Sequence, residues 1–112
     1  MKIAGSIDVV KKPVDMAGAK DVEIRILISK ADGAENFVMR MFEVQPGGHT
    51  PLHIHPNEHE VFIVEGYGVL VYGGQEHPFE AGHVIFVEPG SKHQFKNTGG
   101  SILKFLCLIP LK

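Results

Sequence analysis

Four histidines lie within eleven residues of this chain: His49, His53, His55 and His59. One residue separates His53 from His55, so in an extended segment both rings project from the same face, with Cα atoms about 6 to 7 Å apart. His59 follows a turn-rich link, and His93 comes much later, after a Pro-Gly turn. We predict that one divalent metal ion is held by four of these side chains: His53, His55, His59 and His93.

Four imidazole ligands would give the ion a distinct chemistry. Imidazole suits Zn, Cu, Fe and Ni, and four neutral rings leave the 2+ charge uncompensated, which makes the ion a strong Lewis acid. A six-coordinate ion would keep two positions open for water, substrate or dioxygen, as catalysis requires, whereas a closed tetrahedral site would be structural. His49 is predicted to be a loop residue, and His77 and His83 have no spaced partners.

Short strands are the elements that must position these histidines. Residues 22–28 alternate apolar and charged side chains with period two, and further strand-like runs cover residues 36–44, 60–64, 69–72, 83–87 and 102–109. Thirteen glycines and seven prolines punctuate the chain and leave little room for a long helix, although residues 15–19 permit a short one. We therefore predict an all-β sandwich or barrel, with residues 1–112 forming a single domain.

Alternation along the predicted strands assigns some side chains to faces. In the last strand, four side chains share one face: Leu103, Phe105, Cys107 and Ile109. Lys104 lies on the other face, and because burying an unpaired lysine is costly, the apolar set is predicted to face the interior. In residues 36–44, Arg40 and Glu43 lie on opposite faces, and alternation leaves open which of them points inward.

Composition restricts the partners and the compartment. A formal net charge of −2 with interspersed charges gives no electrostatic footprint for nucleic acid. No apolar run reaches the roughly 18 residues that a membrane span needs, and the N-terminus has no apolar region of signal-peptide length. The single cysteine cannot form an intrachain disulfide. We expect a cytoplasmic protein whose ligand is a small molecule, with no nucleic-acid or membrane partner.

Two stretches carry a resemblance to a known family. Residues 47–66, which read GGHTPLHIHPNEHEVFIVEG, combine a glycine, a His-x-His pair, a later acidic residue and a closing glycine. Residues 82–93, which read GHVIFVEPGSKH, combine a glycine, a Pro-Gly turn and a histidine. These stretches resemble the two motifs of the cupin superfamily, and the surrounding strand pattern extends the resemblance over most of the chain.

The resemblance implies a cupin double-stranded β-helix, which is a conical antiparallel jelly-roll barrel with a metal deep in its mouth. It also implies a homodimer in which the N-terminal segment, residues 1–20, is exchanged; pairing would remove the exposed strand edges of so small a barrel. The common cupin ligand set is three histidines and a glutamate, which makes Glu60 an alternative fourth ligand. Similarity to small manganese cupins favours His59 and Mn(II), with Fe, Ni, Zn and Cu as alternative metals.

Three functions are compatible with such a site. The leading hypothesis is a metal-dependent oxidative enzyme, in which dioxygenase-type chemistry cleaves a small organic substrate. From alternation and resemblance, the substrate pocket would include Phe105 for apolar contact, Arg40 for an anionic group, and Cys107. One alternative is a metal-dependent isomerase or epimerase of a sugar or keto compound, which needs an additional acid or base. The other is a non-catalytic module that binds a small molecule or a metal.

Overall fold

A computed structural model describes residues 1–111, which form one curled antiparallel sheet. Its ten strands are β1 (Lys11–Pro13), β2 (Lys20–Ile28), β3 (Phe37–His49), β4 (His53–Ile54), β5 (His59–Glu65), β6 (Tyr67–Tyr72), β7 (Gln75–Glu80), β8 (Val84–Val87), β9 (Lys92–Lys96) and β10 (Leu103–Pro110). The helices of the described chain are two short 3-10 turns, Ser6–Asp8 and Lys30–Asp32. In residues 1–111, no helix has the length and apolar character needed to cross a bilayer.

The strand order brings distant parts of the chain together. Seven strands follow the order β7-β6-β9-β3-β10-β5-β8, while β2 pairs with β3, β1 with β2, and β4 with β9. Because β4 and β9 are paired neighbours, His53 and His93 lie side by side although about forty residues separate them in sequence. The prediction of an all-β protein is confirmed, and the sheet curls around a single apolar core.

The core confirms the face assignment made for the last strand. In β10, three alternate side chains, Leu103, Phe105 and Cys107, are almost completely buried, and Ile109 packs against the same cluster. Phe105 stacks on Phe95 and Phe42, with ring centroids 4.6 Å and 5.2 Å apart. Such stacked pairs add to the stability that burial itself supplies.

Arg40 and Glu43 are both removed from solvent, but on opposite faces of β3. Arg40 points into the barrel, where it lines a cavity beside the histidines. Glu43 lies on the outer face and is 5% exposed, because Arg25 donates a hydrogen bond of 2.8 Å to its carboxylate and Lys11 stands 3.5 Å away. Burial raises the pKa of Glu43, but these cations lower it further, so the net direction is downward.

The predicted strands differ from the observed ones in length and number. β3 continues beyond residue 44, where the predicted strand ends, to His49 and includes the Pro46-Gly47-Gly48 stretch. β7 was not predicted because it carries charged residues and Pro78, which an edge strand tolerates. β1 is a short strand that also went unpredicted, whereas β4 falls in the segment around His53 and His55 that was predicted to be extended. Residues 15–19 form a turn in place of the short helix that the sequence permitted.

Gly68 lies inside β6, one residue before the predicted strand 69–72, and the neighbouring strand approaches it closely. A β-carbon on Gly68 would overlap the carbonyl oxygen of Lys96 on the neighbouring strand β9. We expect Gly68→Ala to lower the free energy of unfolding by about 1 to 3 kcal/mol, the usual cost of overpacking. Chemical denaturation tests this. Gly100→Ala is the control, because nothing lies within 4 Å of a β-carbon there, and equal stability of the two variants would contradict the prediction.

Candidate metal centre

The structure gathers the four predicted histidines at one place inside the barrel. His53 lies on β4, His55 follows it in the connecting loop, His59 begins β5 and His93 lies on β9. The ring centroids of His55 lie 4.1 Å from His53 and 4.6 Å from His59. His93 is 5.5 Å from His59, 6.0 Å from His55 and 6.2 Å from His53. No other histidine is part of this cluster among residues 1–111.

Local pairing explains this convergence. His53 and His93 are direct partners in the β4–β9 ladder, so their side chains leave the sheet side by side. The N–H of Gly90 donates to the carbonyl oxygen of His55 at 2.8 Å and ties the two histidine-bearing segments together. His59 reaches the same point from β5, where the alternating burial pattern directs it inward.

The same alternation separates His59 from Glu60. His59 is 6% exposed and faces the cluster, whereas Glu60 is exposed on the outer face of β5. Adjacent strand residues point to opposite sides, so Glu60 cannot reach the ring cluster without a register shift. The geometry therefore favours His59 over Glu60 as a member of the site.

Backbone carbonyls fix the orientation of two rings. Nδ1 of His53 is 3.1 Å from the carbonyl oxygen of Pro51, and Nδ1 of His93 is 3.0 Å from that of Ser91. A carbonyl oxygen can only accept, so in each neutral ring Nδ1 carries the proton and Nε2 keeps its lone pair. This is the arrangement in which proteins present histidine to a metal, so the donor set fits a divalent ion.

Burial keeps three of the clustered rings neutral. It lowers the pKa of His55 to about 4, with help from the nearby His53, His93 and Arg40. Burial also lowers the pKa of His59 to about 3, with help from His55 and Arg40, and it lowers the pKa of His93. A ring must be neutral to bind a metal, so these three imidazoles are in the ligating form at neutral pH.

Without metal, these low pKa values should make the protein acid-sensitive. An unfolded histidine titrates near pH 6.5, so at lower pH the unfolded chain binds more protons than the folded one, and stability falls. For His59 we expect a loss on the order of 2 kcal/mol between pH 7 and pH 5. Urea unfolding of chelator-treated protein at both pH values measures it. His59→Gln should reduce the difference, and an unchanged pH dependence in that variant would contradict the prediction.

The clustered rings are not yet arranged around one point. Among residues 1–111, no group of three or more His, Cys, Asp or Glu side chains has the arrangement of a formed metal site. The Nε2 atoms of His53 and His55 contact each other. Ligation at the usual 2.0 to 2.1 Å would therefore need the rings to turn until their nitrogens face a common centre.

A cavity of about 200 Å³ opens beside the histidines, and the three predicted pocket residues, Arg40, Phe105 and Cys107, all line it. Sequence reasoning missed most of its apolar wall, which includes Val14, Met16, Ile24, Phe42 and Phe95. Phe42 could have been found, because it shares a strand face with Arg40. Val14 and Met16 come from the turn before β2, where no periodic pattern marked them.

Cys107 connects two polar parts of the cavity wall. Its Sγ accepts a hydrogen bond from Nη2 of Arg40 at 3.1 Å and lies 3.5 Å from Nδ1 of His59. Burial raises the pKa of the thiol, although Arg40 partly opposes this, so the sulfur is protonated at neutral pH. Cys107 is thus both a core residue and a neighbour of the histidine cluster.

The remaining histidines make contacts elsewhere. His49 was predicted to be a loop residue but is the last residue of β3, where its Nδ1 lies 3.3 Å from the side-chain nitrogen of Gln94. His77 is exposed and its Nε2 lies 3.2 Å from the carbonyl oxygen of Tyr72. His83 is exposed and accepts from the N–H of Glu80 at 3.0 Å. None of these three rings lines the cavity of the described chain.

Comparison with known proteins identifies the class to which this fold and site belong. The family model of the cupin domain matches residues 40–109, a stretch that contains all four clustered histidines and all three pocket residues. The chain belongs to the cupin family, and the resemblance seen in its two motifs is confirmed at this level.

Particular relatives share much of the length of this chain. An oxalate-binding protein from Thermotoga maritima is 37% identical over 102 residues, which cover 87% of this chain and 83% of the relative. The structure of the polyketide cyclase RemF from Streptomyces resistomycificus superposes with a TM-score of 0.95 at 38% identity and covers 100% of this chain and 80% of the cyclase. The structure of a predicted oxalate decarboxylase from Thermotoga maritima superposes with a TM-score of 0.86 at 31% identity. The match covers 99% of this chain and 100% of the decarboxylase.

Proposed function

We propose that this cupin is a metal-dependent oxidative enzyme that performs dioxygenase-type cleavage of a small, largely apolar organic molecule. Its metal would be held by His53, His55, His59 and His93. The observation that supports this most is the composition of the cavity wall, where clustered imidazoles adjoin apolar side chains. Such a pocket favours an apolar substrate with one or two oxygen atoms that a metal can bind.

The protein side chains would bind and orient the substrate. A divalent ion at the four imidazoles would supply Lewis acidity and, if redox-active, a meeting point for dioxygen and substrate. Phe42, Phe95 and Phe105 form the apolar wall that excludes water and contacts the substrate body. Mn(II) is the metal we propose. Fe, Ni, Zn and Cu are alternatives, because imidazole ligands by themselves bind Cu, Ni and Zn more tightly than Mn.

The cavity offers little support for an isomerase or epimerase. Such reactions move a proton between carbon atoms and need an acid or base in addition to the metal ligands. Within residues 1–111, the cavity wall contains no Asp, Glu, Lys or Tyr. A guanidinium does not act as a base in proteins, and burial raises the pKa of the Cys107 thiol. This composition favours chemistry that a metal performs on a bound oxygen atom.

A second candidate is metal-promoted cyclisation without dioxygen. It is supported by the similarity to the polyketide cyclase RemF, which extends over the whole of this chain at a TM-score of 0.95. An ion at the imidazoles could promote ring closure by polarising a substrate carbonyl, and the proton lost by the attacking carbon would pass through solvent water to the carbonyl oxygen as the carbon–carbon bond forms. A third candidate, binding without turnover, is suggested by the relative described as an oxalate-binding protein.

Oxygen consumption separates these candidates. The protein, reconstituted with Mn(II) or Fe(II), is incubated with a panel of phenols, alkenes and polyketide-like diketones in an oxygen electrode, and products are identified by mass spectrometry. Oxidative cleavage predicts oxygen uptake that matches product formation. Product without oxygen uptake would favour cyclisation. Saturable binding with no product would contradict both enzymatic proposals and favour a binding module.

We also propose that the protein is a homodimer in which residues 1–20 are exchanged between subunits. The first ten residues carry apolar side chains that are largely exposed, including Ile3, Ile7 and Val10. A neighbouring subunit could cover them, and exchanging an identical segment costs little because the same contacts reform between chains.

The single buried thiol, Cys107, suits a reducing compartment, and we propose a cytoplasmic location.

Sedimentation equilibrium tests the exchanged dimer. The full chain is expected to have the mass of a dimer, and removal of residues 1–10 is expected to shift it to a monomer. Phe86→Lys is the comparison, because Phe86 is an exposed apolar residue on the outer face of β8. If Phe86→Lys alone produced monomers, the interface would lie on β8 and the exchange would be wrong.

A further inference from the structure

Arg40 is a half-buried cation whose charge the described chain does not neutralise. It lies in the middle of β3, opposite Cys107 in the ladder with β10. Nη2 donates to the Sγ of Cys107, and the guanidinium carbon lies 4.9 Å from the ring centre of Phe42. Within residues 1–111, Arg40 forms no ion pair with a carboxylate, unlike Arg25, which is paired with Glu43.

One nitrogen of Arg40 is both buried and without a partner. Nε has no hydrogen-bond acceptor, and it is the one buried side-chain nitrogen or oxygen in the described residues that lacks one. An unpaired buried donor on a charged group is costly, so natural proteins rarely keep one without a use. A thiol and an aromatic ring stabilise a guanidinium only weakly compared with an anion.

The surroundings do not offset this positive charge. Arg40 shares the cavity with His53, His55, His59 and His93, and it lowers the pKa values of His55 and His59. A divalent ion at the imidazoles would increase the positive charge further, while no Asp or Glu of residues 1–111 lines the cavity. The missing negative charge must therefore come from a ligand.

We propose that Arg40 binds the carboxylate of the substrate, which places the substrate among small aromatic or similarly apolar carboxylic acids. A guanidinium offers parallel N–H donors that match the two oxygens of a carboxylate. Nε is itself closed off from solvent, so the side chain would turn toward the cavity to offer it as one of the two donors. The apolar wall would then contact the body of the molecule. The substrate class rests on the proposed function, but carboxylate recognition can be measured without turnover.

Binding of benzoate and benzamide tests this directly, because the two molecules have nearly the same shape and differ in charge. Calorimetric titrations are made on the full chain, once loaded with metal and once after metal removal. We expect wild type to prefer benzoate by at least about tenfold in both states, as hydrogen bonds to charged groups would give. Arg40→Gln should abolish the preference, and Arg40→Lys should keep only part of it.

Two controls separate a binding role from a structural one. Lys20→Gln removes the same charge from an exposed position and should leave the preference unchanged. Metal content of Arg40→Gln should equal that of wild type, because Arg40 is not among the proposed ligands. Arg40→Met should be at least as heat-stable as wild type without ligand, and benzoate should raise the melting temperature of wild type but not of this variant.

Each outcome bears on one proposal. Equal affinity for benzoate and benzamide in wild type would overturn the carboxylate proposal, even if the protein binds metal and turns over a neutral substrate. A benzoate preference that survives in Arg40→Gln would overturn it as well. A preference that depends on Arg40 in a protein with no turnover would support carboxylate binding while removing the oxidative function.

Discussion

Replacing His59 with alanine is expected to weaken the binding of Mn(II) and Co(II) by more than about 100-fold. Loss of a group that merely orients a ligand already costs 10- to 100-fold, and His59 is proposed to be a ligand itself. Its ring lies 4.6 Å from that of His55 and 5.5 Å from that of His93, so removing it opens one side of the cluster. Competition with a metal indicator dye gives the affinities.

Glu60→Ala is the matched control for this experiment. Glu60 is the next residue on the same strand and is exposed on the opposite face, so its removal should leave metal affinity within about twofold of wild type. Circular dichroism shows whether both variants keep the fold. Loss of affinity in Glu60→Ala with retention in His59→Ala would reverse the ligand assignment and contradict the proposed four-histidine set.

Replacing Phe105 with alanine is expected to destabilise the protein by about 3 to 5 kcal/mol, the usual cost of deleting a fully buried aromatic ring. Phe105 is 1% exposed and stacks between Phe42 and Phe95, so neighbouring rings cannot easily fill the space that it leaves. For a domain of this size, the melting temperature should fall by more than about 10 °C. Calorimetry on the metal-free protein measures this.

Phe62→Ala on the neighbouring strand provides the comparison. Phe62 is opposite Leu106 in the β5–β10 ladder but is 43% exposed on the outer face, so its loss should cost about 1 kcal/mol or less. Similar stability of the two variants would show that Phe105 is not the centre of the core. Its contact with the substrate would then have to be assessed separately from packing.

Local sequence patterns were enough to predict the main features of the fold. The all-β class followed from period-two alternation and frequent glycine and proline, and the inward face of β10 followed from the cost of burying Lys104. The spacing of His53 and His55 placed their rings on one face, and the structure brings His59 and His93 beside them. The fold class, the inward face of β10 and the shared face of His53 and His55 could be predicted because each depends on neighbouring residues.

Features that depend on distant contacts could not be predicted. Gly68 belongs to a strand because the backbone of Lys96 approaches it closely, and nothing near Gly68 in sequence indicates this. Glu43 is buried on the outer face because Arg25 and Lys11 converge on it from β2 and β1. The ambiguity between Arg40 and Glu43 had the same origin, since a strand pattern with two buried faces has no single inward side.

Metal stoichiometry of the wild-type protein tests the proposed site most simply. The chain is reconstituted anaerobically with Mn(II), passed through a desalting column at pH 7.5, and its metal content is measured by inductively coupled plasma mass spectrometry. A variant that lacks His53, His55, His59 and His93 is treated in parallel. The four-histidine proposal predicts one metal ion per chain in wild type and none in the variant. Absence of retained metal in wild type after loading with Mn, Fe, Ni and Zn would contradict it.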